Sequence, residues 1–251
     1  MNLTDVVFWE NYWKGIKLPV KVDFNFSFDR TLANALSKYL PDSGHVFEVG
    51  CAPGKWLSYA SESAGLRVGG IEYSEAGTSA THKNLELLGI NADAVISGDF
   101  FLVEPDKYYD VVMSFGFIEH FDDVDEVVKK HLAWLKPGGI LILGIPNFSG
   151  FNGFIQSILD KEILDKHNLN IMNLDYFKRL AIKCNLHPLL VDYIGSFEPA
   201  LAIPKYKFGN PIQFFTRCIL FGIRFLRKFE FFDGLNSKYF SSYILAIYRK
   251  A

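Results

Sequence analysis

The chain has 251 residues, of which 49% are hydrophobic, and a formal net charge of −2 at neutral pH. This length allows one domain with a substantial core, and the charge balance argues against a general affinity for nucleic acid. The three cysteines, Cys51, Cys184 and Cys218, show no metal-ligand spacing, and the first residues lack the pattern of a signal peptide. We therefore expect a cytoplasmic protein with a single domain over residues 1–251.

Aromatic residues are concentrated in the first 26 positions. Between Phe8 and Trp13 the apolar side chains fall at i, i+1, i+4 and i+5, which predicts a short helix with one apolar face. Two interpretations stay open: the helix packs on the main domain as a plain surface segment, or it forms a cap over a binding site. A second helical pattern, from Phe28 to Leu40, completes an N-terminal region over residues 1–44.

Three predicted strands follow, and each ends in residues suited to holding a ligand. The strands are His45–Val49, Arg67–Glu72 and Ala92–Ser97. The first runs into the turn Gly50-Cys51-Ala52-Pro53-Gly54, where the backbone can approach a ligand closely because glycine has no Cβ. The second ends in the Glu72 carboxylate, and Gly98-Asp99-Phe100 follows the third. Ligands of open α/β sheets bind outside the carboxyl ends of the strands, so we expect the site here.

The order of these groups indicates a nucleoside ligand. The carboxylate of Glu72 can accept hydrogen bonds from both hydroxyls of a ribose. Asp99 can accept a bond from an adenine amino group, with Phe100 or Phe101 against the face of the ring. A nicotinamide-dinucleotide fold has a similar outline, but its Gly-x-Gly-x-x-Gly turn is absent, since three residues separate the two glycines of this turn.

Helical and strand patterns continue to residue 194. Ser74 is the predicted N-cap of a helix that Gly89 closes, and an apolar stripe after Asp122 or Asp123 predicts another helix. The remaining strands are predicted at Tyr109–Phe115, Ile140–Ile145, Leu186–Ile194 and Ser242–Tyr248, with a helix at Asn173–Cys184. Residues 147–172 are predicted to form a long connection over the site, because they follow the carboxyl end of a strand.

The segment from Pro211 to Phe229 is predicted to form an amphipathic helix before the last strand. On a helical wheel its polar side chains fill one narrow arc and its apolar side chains fill the rest. Residues 199–229 contain six basic residues and no acidic one, a pattern that suits the surface of an anionic membrane. Arg217 and Arg224 interrupt the apolar run, so a transmembrane helix is not expected. The alternative is a helix packed on the domain or across a homodimer interface.

In this order, the motifs resemble those of the class I S-adenosylmethionine-dependent methyltransferases, and among them the small-molecule and quinone-pathway O-methyltransferases. The matching stretches lie between Phe47 and Pro146 and are Glu48–Gly54, Glu72, Gly98–Phe100, Asp110–His120 and Leu135–Gly139. The resemblance implies a Rossmann-like, doubly wound α/β fold with a seven-stranded, mostly parallel sheet whose last strand is antiparallel. Residues 45–146 would form the cofactor-binding core, 147–240 the acceptor side and 241–251 the last strand.

The resemblance also implies S-adenosylmethionine as the cofactor and a set of residues that hold it. The implied cofactor-binding residues are Glu48, Gly50, Cys51, Ala52, Gly54, Glu72, Tyr73, Asp99, Phe100 and Ser114.

Two histidines are candidates for acting on the acceptor. Glu119-His120 follows the fourth strand and resembles the Glu-His of quinone-pathway O-methyltransferases, where the pair and an earlier acid can hold a divalent metal. That acid corresponds to Gly116 here, so no metal site is predicted. His167 follows the fifth strand, where relatives often carry a histidine close to the acceptor. Either histidine could take the proton of an acceptor hydroxyl, or have a purely structural role.

The sequence thus predicts S-adenosylmethionine-dependent methyl transfer to a small or lipid-linked acceptor, at oxygen. The Asn/Asp-Pro-Pro-Tyr/Phe pattern of adenine and glutamine N-methyltransferases is absent after the fourth strand. No nucleic-acid partner is predicted, whereas a contact of residues 211–229 with the inner face of a membrane and a homodimer stay open. The rival hypothesis is a non-catalytic scaffold that keeps the fold and binds the cofactor or a membrane.

Overall fold

One sheet forms the centre of the molecule. The computed structural model describes residues 3–105, 108–196 and 211–251. In this part of the chain seven strands form the sheet: β1 His45–Val49, β2 Arg67–Glu72, β3 Ala92–Ser97, β4 Tyr109–Phe115, β5 Leu135–Pro146, β6 Leu186–Ile194 and β7 Tyr243–Lys250. Their order is β3-β2-β1-β4-β5-β7-β6, and β7 runs antiparallel to both of its neighbours. The predicted Rossmann-like sheet with an antiparallel last strand is confirmed.

The described residues also form α-helices, several of which pack on the two faces of this sheet. The α-helices are α1 Val6–Trp13, α2 Ser27–Leu36, α3 Lys55–Ala64, α4 Glu75–Leu87, α5 Val124–Trp134, α6 Phe151–Leu159, α7 Lys161–Leu164, α8 Leu174–Lys183 and α9 Pro211–Leu226. Successive residues of β1 enter two separate cores, because side chains alternate between the faces of a strand. Phe47 packs with residues of α5 and α8, and Val46 packs with residues of α2, α3 and α4.

Local signals set the ends of several helices where they were predicted. The Ser74 hydroxyl accepts a hydrogen bond of 3.1 Å from the backbone N–H of Gly77, which caps α4. Gly89 follows α4 with a φ of +71°, a conformation that favours glycine. The carboxylate of Asp123 accepts a bond of 3.2 Å from the N–H of Glu126 at the start of α5. These caps satisfy backbone groups that a helix end leaves unpaired.

Strand β5 begins earlier than its sequence indicates. Leu135 already pairs with Tyr109, and after a shift in register Ile140 pairs with Val111. The Lys-Pro-Gly-Gly stretch between them therefore lies in the strand as an irregularity, with Gly138 at a φ of +73°. Proline and glycine in a strand are typical of such bulges, but in the sequence they indicate the end of the preceding helix, with the strand beginning at Ile140.

The predicted connection 147–172 contains two helices, α6 and α7. Helix α6 was missed because its burial is inverted. Asn152 and Gln156 are buried, and the amide of Asn152 donates to the backbone carbonyl of Ser241 over 3.3 Å. Both phenylalanines and one of the two isoleucines point outward, so Phe151, Phe154 and Ile158 are each more than half exposed. The usual sequence pattern of a surface helix assumes that the apolar face is turned inward, so this pattern does not indicate α6.

Helix α9 also presents an apolar side to solvent. Each of its described large apolar side chains other than Ile223 is more than half exposed: Phe214, Phe215, Ile219, Phe221, Phe225 and Leu226. At 3.6 residues per turn these side chains share one side of the helix. The helix ends at Leu226 rather than at Phe229. The predicted polar arc rests largely on the side chains of Gln213, Thr216, Arg217 and Arg224, which lie outside the described residues, as do positions 197–210.

Ion pairs fix the chain just after α9. The carboxylate of Asp233 accepts from Arg30 Nε at 2.6 Å and from Arg227 Nη2 at 3.1 Å, and both arginines are buried. The hydroxyl of Ser27 donates to the same carboxylate over 3.1 Å. Arg227, which the wheel assigned to the polar arc, is therefore neutralised inside the fold and does not add charge to an exposed surface.

Candidate active site

A cavity of about 370 Å³ lies at the carboxyl ends of β1, β2 and β4. This is the expected edge of the sheet, and the volume is in the range of small-molecule sites. The walls are mostly aromatic and apolar, with a few polar groups at either end of the cavity. The residues suited to a nucleoside and the two candidate histidines line this same space, so they form one site.

The glycine turn after β1 allows a ligand to approach the backbone closely. Gly50 has a φ of +71°, and a Cβ built there would lie 3.0 Å from Cδ2 of Phe117. The backbone N–H groups of Gly50 and Cys51 both donate to the carbonyl of Ile71, at 2.9 and 3.1 Å. These bonds tie the turn to the end of β2 and hold its backbone against the cavity.

The Glu72 carboxylate lies at the end of β2 and is 5% exposed. Its Oε1 accepts hydrogen bonds from the backbone N–H of Ser74 at 3.0 Å and from the Ser74 hydroxyl at 2.9 Å. Burial raises the pKa of Glu72, whereas these bonds act in the opposite direction. Ser74 thus both caps α4 and orients the carboxylate, and it leaves the remaining acceptor positions for a ligand diol.

Asp99 and the aromatic residues near it form the opposite wall. Asp99 Oδ1 accepts a bond of 2.8 Å from the N–H of Phe101, so the loop after β3 is turned around this carboxylate. Phe100 lines the cavity with one edge but is 4% exposed, since its ring packs on Trp134 at 6.0 Å. Phe101 and Phe117 line the cavity as well and offer ring faces for a base.

The structure brings some of the predicted cofactor residues to the cavity wall and places others behind it. Lining the cavity are Gly50, Ala52, Glu72, Tyr73, Asp99 and Phe100. Not among the lining residues are Glu48, Cys51, Gly54 and Ser114. Glu48, Cys51 and Ser114 are buried, and burial raises the pKa of the Glu48 carboxyl and of the Cys51 thiol. Gly54 begins α3 with a φ of +84°. For these four residues the predicted contact with the cofactor stays a prediction, and none of them lines the cavity.

Helix α1 covers the cavity, as the cap interpretation of the N-terminal segment expects. Its aromatic residues Phe8, Trp9, Tyr12 and Trp13 all line the space. The helix is held by a bond of 3.0 Å from the N–H of Ala76 to Glu10 Oε2. Before it, the N–H of Leu3 donates to the carbonyl of His120 over 2.8 Å. The cap is thus connected to both ends of the cavity.

Glu119, His120 and His167 meet in the wall of the cavity. The ring centroids of His120 and His167 are 4.6 Å apart, and His120 Nε2 lies 4.0 Å from Glu119 Oε1. Burial raises the pKa of Glu119 to about 8 and lowers that of His120 to about 3. Burial also lowers the pKa of His167. Both imidazoles are therefore neutral at physiological pH.

Sequence reasoning missed several wall residues that come from distant parts of the chain. Phe117 follows β4, Phe148 and Ile163 belong to the predicted connection, and Tyr243 begins β7. The hydroxyl of Tyr243 donates to the carbonyl of Gly144 over 3.0 Å, so its ring stands beside the end of β5. Position after a strand end could have indicated Phe117 and Phe148, but nothing local indicated Ile163 or Tyr243.

Known proteins share this fold and these motifs. Residues 25–188 match a family described as a methyltransferase domain. A probable (S)-tetrahydroprotoberberine N-methyltransferase 2 from Papaver bracteatum is 26% identical over 120 residues, which are 47% of this chain and 34% of that protein. A ubiquinone biosynthesis O-methyltransferase from Coxiella burnetii is 27% identical over 118 residues, 47% of this chain and 50% of that protein. The chain therefore spans half or less of the length of these two relatives.

A solved structure shows the same architecture. Geranyl diphosphate C-methyltransferase from Streptomyces coelicolor A3(2), crystallised with S-adenosyl-L-homocysteine among its ligands, matches with a TM-score of 0.59 at 15% identity. The match covers 88% of this chain and 78% of that one. The sheet order, with a glycine turn after β1 and acids after β2 and β3, defines the class I S-adenosylmethionine-dependent methyltransferases. This chain belongs to their methyltransferase-domain family, and its cofactor is S-adenosylmethionine.

The residues present fit this cofactor. The Gly50 turn leaves open a space that a Cβ would narrow, and the Glu72 carboxylate stands where a ribose diol needs an acceptor. Asp99 and the rings of Phe101 and Phe117 can hold the adenine. The part of the chain that the structure describes includes no helix long and apolar enough to cross a membrane.

Proposed function

We propose that this chain transfers the methyl group of S-adenosylmethionine to a hydroxyl oxygen of a small or lipid-linked acceptor. The observation that supports this most directly is the shared cavity, whose walls include Gly50 and Glu72 together with His120 and His167. A scaffold that only binds the cofactor has no need for two imidazoles in the wall of the same cavity. The aromatic walls favour an acceptor with an apolar or aromatic body.

The residues of the cavity would act mainly by alignment. When bound, the cofactor supplies a methyl group on a sulfonium, which is a good leaving group. Glu72 and Asp99 hold the nucleoside, and the aromatic side chains of α1 exclude water above it. Holding two reactants in line is worth effective molarities of about 10⁵–10⁸ M. Alignment can therefore supply much of the rate enhancement.

The two histidines are arranged to accept a proton. His120 Nδ1 lies 2.7 Å from the carbonyl oxygen of Lys166, and His167 Nδ1 lies 2.6 Å from that of Ile163. A carbonyl only accepts hydrogen bonds, so in each ring the proton is on Nδ1 and the lone pair is on Nε2. An acceptor hydroxyl beside either Nε2 could give up its proton as its oxygen bonds to the methyl carbon.

The proposal is tested by cofactor binding followed by an acceptor screen. Calorimetry should show binding of S-adenosylmethionine to the full chain. Incubation with cofactor labelled in its methyl group, against a panel of phenols, quinols, amines and polyprenyl-linked hydroxyls, should then label a hydroxyl acceptor. Cofactor binding without transfer to any acceptor would favour the scaffold hypothesis, and labelling of amines alone would exclude oxygen as the acceptor atom.

We predict that alanine at His120 or His167 lowers turnover more than it lowers cofactor affinity. General base catalysis contributes about 10²–10⁴-fold, so kcat should fall within that range for the histidine that takes the proton. The exposed His187 on β6 is the matched control, and His187→Ala should keep the parent kcat. The test is to measure kcat by steady-state kinetics on a responsive acceptor and to measure the cofactor affinity of the same variants. An unchanged kcat in both site variants would leave alignment as the only source of rate.

We further propose that the apolar side of α9 rests on an anionic lipid surface. This side shows Phe214, Phe215, Phe221 and Phe225 to solvent, while Arg227 and Asp233 just after the helix are paired with each other inside the fold. Helix α6 exposes apolar side chains in the same inverted manner. Exposed apolar patches of this kind mark contact surfaces. Residues 199–229 carry five basic residues besides the paired Arg227 and no acidic one, an excess that favours anionic lipid. A lipid-linked acceptor would be met at such a surface.

Liposome flotation tests this contact. Vesicles with anionic lipid should carry the protein at low salt, and less of it at high salt, because exposed charges are screened over about 8 Å at physiological ionic strength. Phe221→Asp should reduce flotation, whereas Ile182→Asp, at an equally exposed apolar position on α8, should not. Absence of flotation at low salt would remove the membrane contact. Sedimentation would then show whether a second copy of the chain covers α9 instead.

A further inference from the structure

We propose that Glu119, His120 and His167 bind a divalent transition-metal ion at the acceptor end of the cavity. Each side chain offers one ligating atom, and the three atoms all lie within 4.8 Å of one another. Glu119 and His120 belong to a single 3₁₀ turn after β4, and His167 follows α7. The inference rests on the proposed function, because it assigns an ion to the acceptor side of that same cavity.

The first observation is the state of the Glu119 carboxyl group. Glu119 is 1% exposed, and neither of its carboxylate oxygens has a hydrogen-bond partner. Burying an ionisable group without a partner is costly, so proteins pair such groups with donors or with metal ions. A cation between Glu119 and the two imidazoles would supply the partner that the protein itself does not provide.

The second observation is the orientation of the imidazoles. Both Nδ1 atoms donate to backbone carbonyls, those of Lys166 and Ile163. Histidines that bind metals commonly donate their second N–H to a carbonyl in this way, which fixes the ring and leaves the other nitrogen for the ion. The Nε2 atoms of His120 and His167 are therefore the available ligands.

The spacing of the ligands is close to that of a metal site. With bonds of about 2.1 Å, neighbouring ligand atoms of a tetrahedral zinc site are about 3.4 Å apart. His120 Nε2 and Glu119 Oε1 are separated by 4.0 Å, so small side-chain rotations would bring them to a common ion. Gly116 lines the same cavity but offers no side-chain ligand, and His167 contributes the third group from a different element.

The ligand types indicate which ion would bind. Two imidazoles and one carboxylate suit zinc and neighbouring ions such as cobalt better than magnesium or calcium. Three protein ligands leave a coordination position open, as in catalytic zinc sites, and all three ligands line the cavity. An acceptor hydroxyl at that position would have its pKa lowered by the ion. The histidines would then act on the acceptor through the metal.

Cobalt binding tests the site without reference to activity. The full chain, free of any affinity tag and stripped with a chelator, is titrated with Co²⁺ while visible absorption is recorded. We expect saturation at one equivalent and displacement of the signal by Zn²⁺. Glu119→Gln and His167→Ala should each weaken Co²⁺ binding at least about tenfold, by comparison with the 10–100-fold cost of losing an outer-sphere partner. His187→Ala, at an exposed position away from the cavity, should bind Co²⁺ like the parent.

The outcomes separate this inference from the proposed function. No Co²⁺ signal in the parent, or binding that neither site variant weakens, overturns the metal site. Calorimetry with S-adenosylmethionine on the same metal-free samples shows whether each variant is folded and whether the cofactor binds. Loss of cofactor binding in the parent would contradict the proposed function and leave the metal result standing. If one of the two variants, Glu119→Gln or His167→Ala, does not fold, the Co²⁺ affinity of the other tests the metal site.

Discussion

Replacing Gly50 with valine is expected to reduce the affinity for S-adenosylmethionine more than about 100-fold, or ~2.8 kcal/mol. Gly50 holds a φ of +71°, and a Cβ there would meet the Phe117 ring at 3.0 Å. The two methyl groups of valine would extend from that Cβ, at the point where the cofactor has to approach the backbone. The left-handed conformation adds a separate cost to stability of about 1–3 kcal/mol for a residue with a side chain.

A matched control separates these two costs. Gly89 has the same φ of +71°, but a Cβ there has no neighbour within 4 Å. Gly89→Val should therefore lose a similar amount of stability in thermal denaturation and keep the parent affinity in calorimetry. If Gly50→Val also binds the cofactor like the parent, the assignment of this turn to the cofactor is wrong.

Replacing Glu72 with alanine is expected to weaken cofactor binding by about 10²–10⁴-fold. A hydrogen bond to a charged group contributes about 1.5–3 kcal/mol, and a ribose diol makes two of them. The hydroxyl and the backbone N–H of Ser74 both donate to Oε1 of Glu72. Alanine at position 72 would therefore also leave these two donors without their acceptor. Glu72→Gln, which keeps the size of the side chain, should show most of the loss.

The Glu72→Ala protein should stay folded, although the buried N–H and hydroxyl of Ser74 lose their acceptor. Burial raises the pKa of Glu72 in the folded protein above its value in the unfolded chain. At neutral pH, which lies above the unfolded pKa, the ionised carboxylate therefore lowers the stability of the fold. Its removal is for this reason not expected to unfold the domain. Glu75→Ala, at an exposed acid in the first turn of α4, is the control and should bind the cofactor normally. Parent-like binding by the Glu72 variants would mean that the ribose is held elsewhere.

The cofactor end of the site could be predicted because its signals are local. The strand from His45 to Val49, the glycines that follow it and the acid at Glu72 are close together in the chain. These features can be recognised from the alternating or helical spacing of apolar residues and from the conformational freedom of glycine. Ser74 as N-cap and Gly89 as the end of α4 could be predicted for the same reason, since a cap acts within a few residues.

The acceptor end required the fold. His120 and His167 were each identified as candidates, but their contact, and the burial of Glu119 beside them, depend on where α7 lies. Tyr243 enters the wall because β7 inserts beside β5. The sequence also indicated no metal at this place, because Gly116 stands where the resembled proteins carry an acid. The third possible ligand, His167, comes from a distant segment that only the fold brings near.

The amino-acid sequence by itself determined the seven strands, the helices other than α6 and α7, the glycine turn, the acids that follow β2 and β3, and thereby the class of cofactor. These features follow from periodicity and backbone preference over a few residues. Only the tertiary structure decided that α6 and α9 turn apolar side chains outward, that Arg227 is paired with Asp233, and that a partnerless carboxyl group lies beside two imidazoles. The reason is that burial and pairing depend on which distant segments pack together, and no local pattern records that choice.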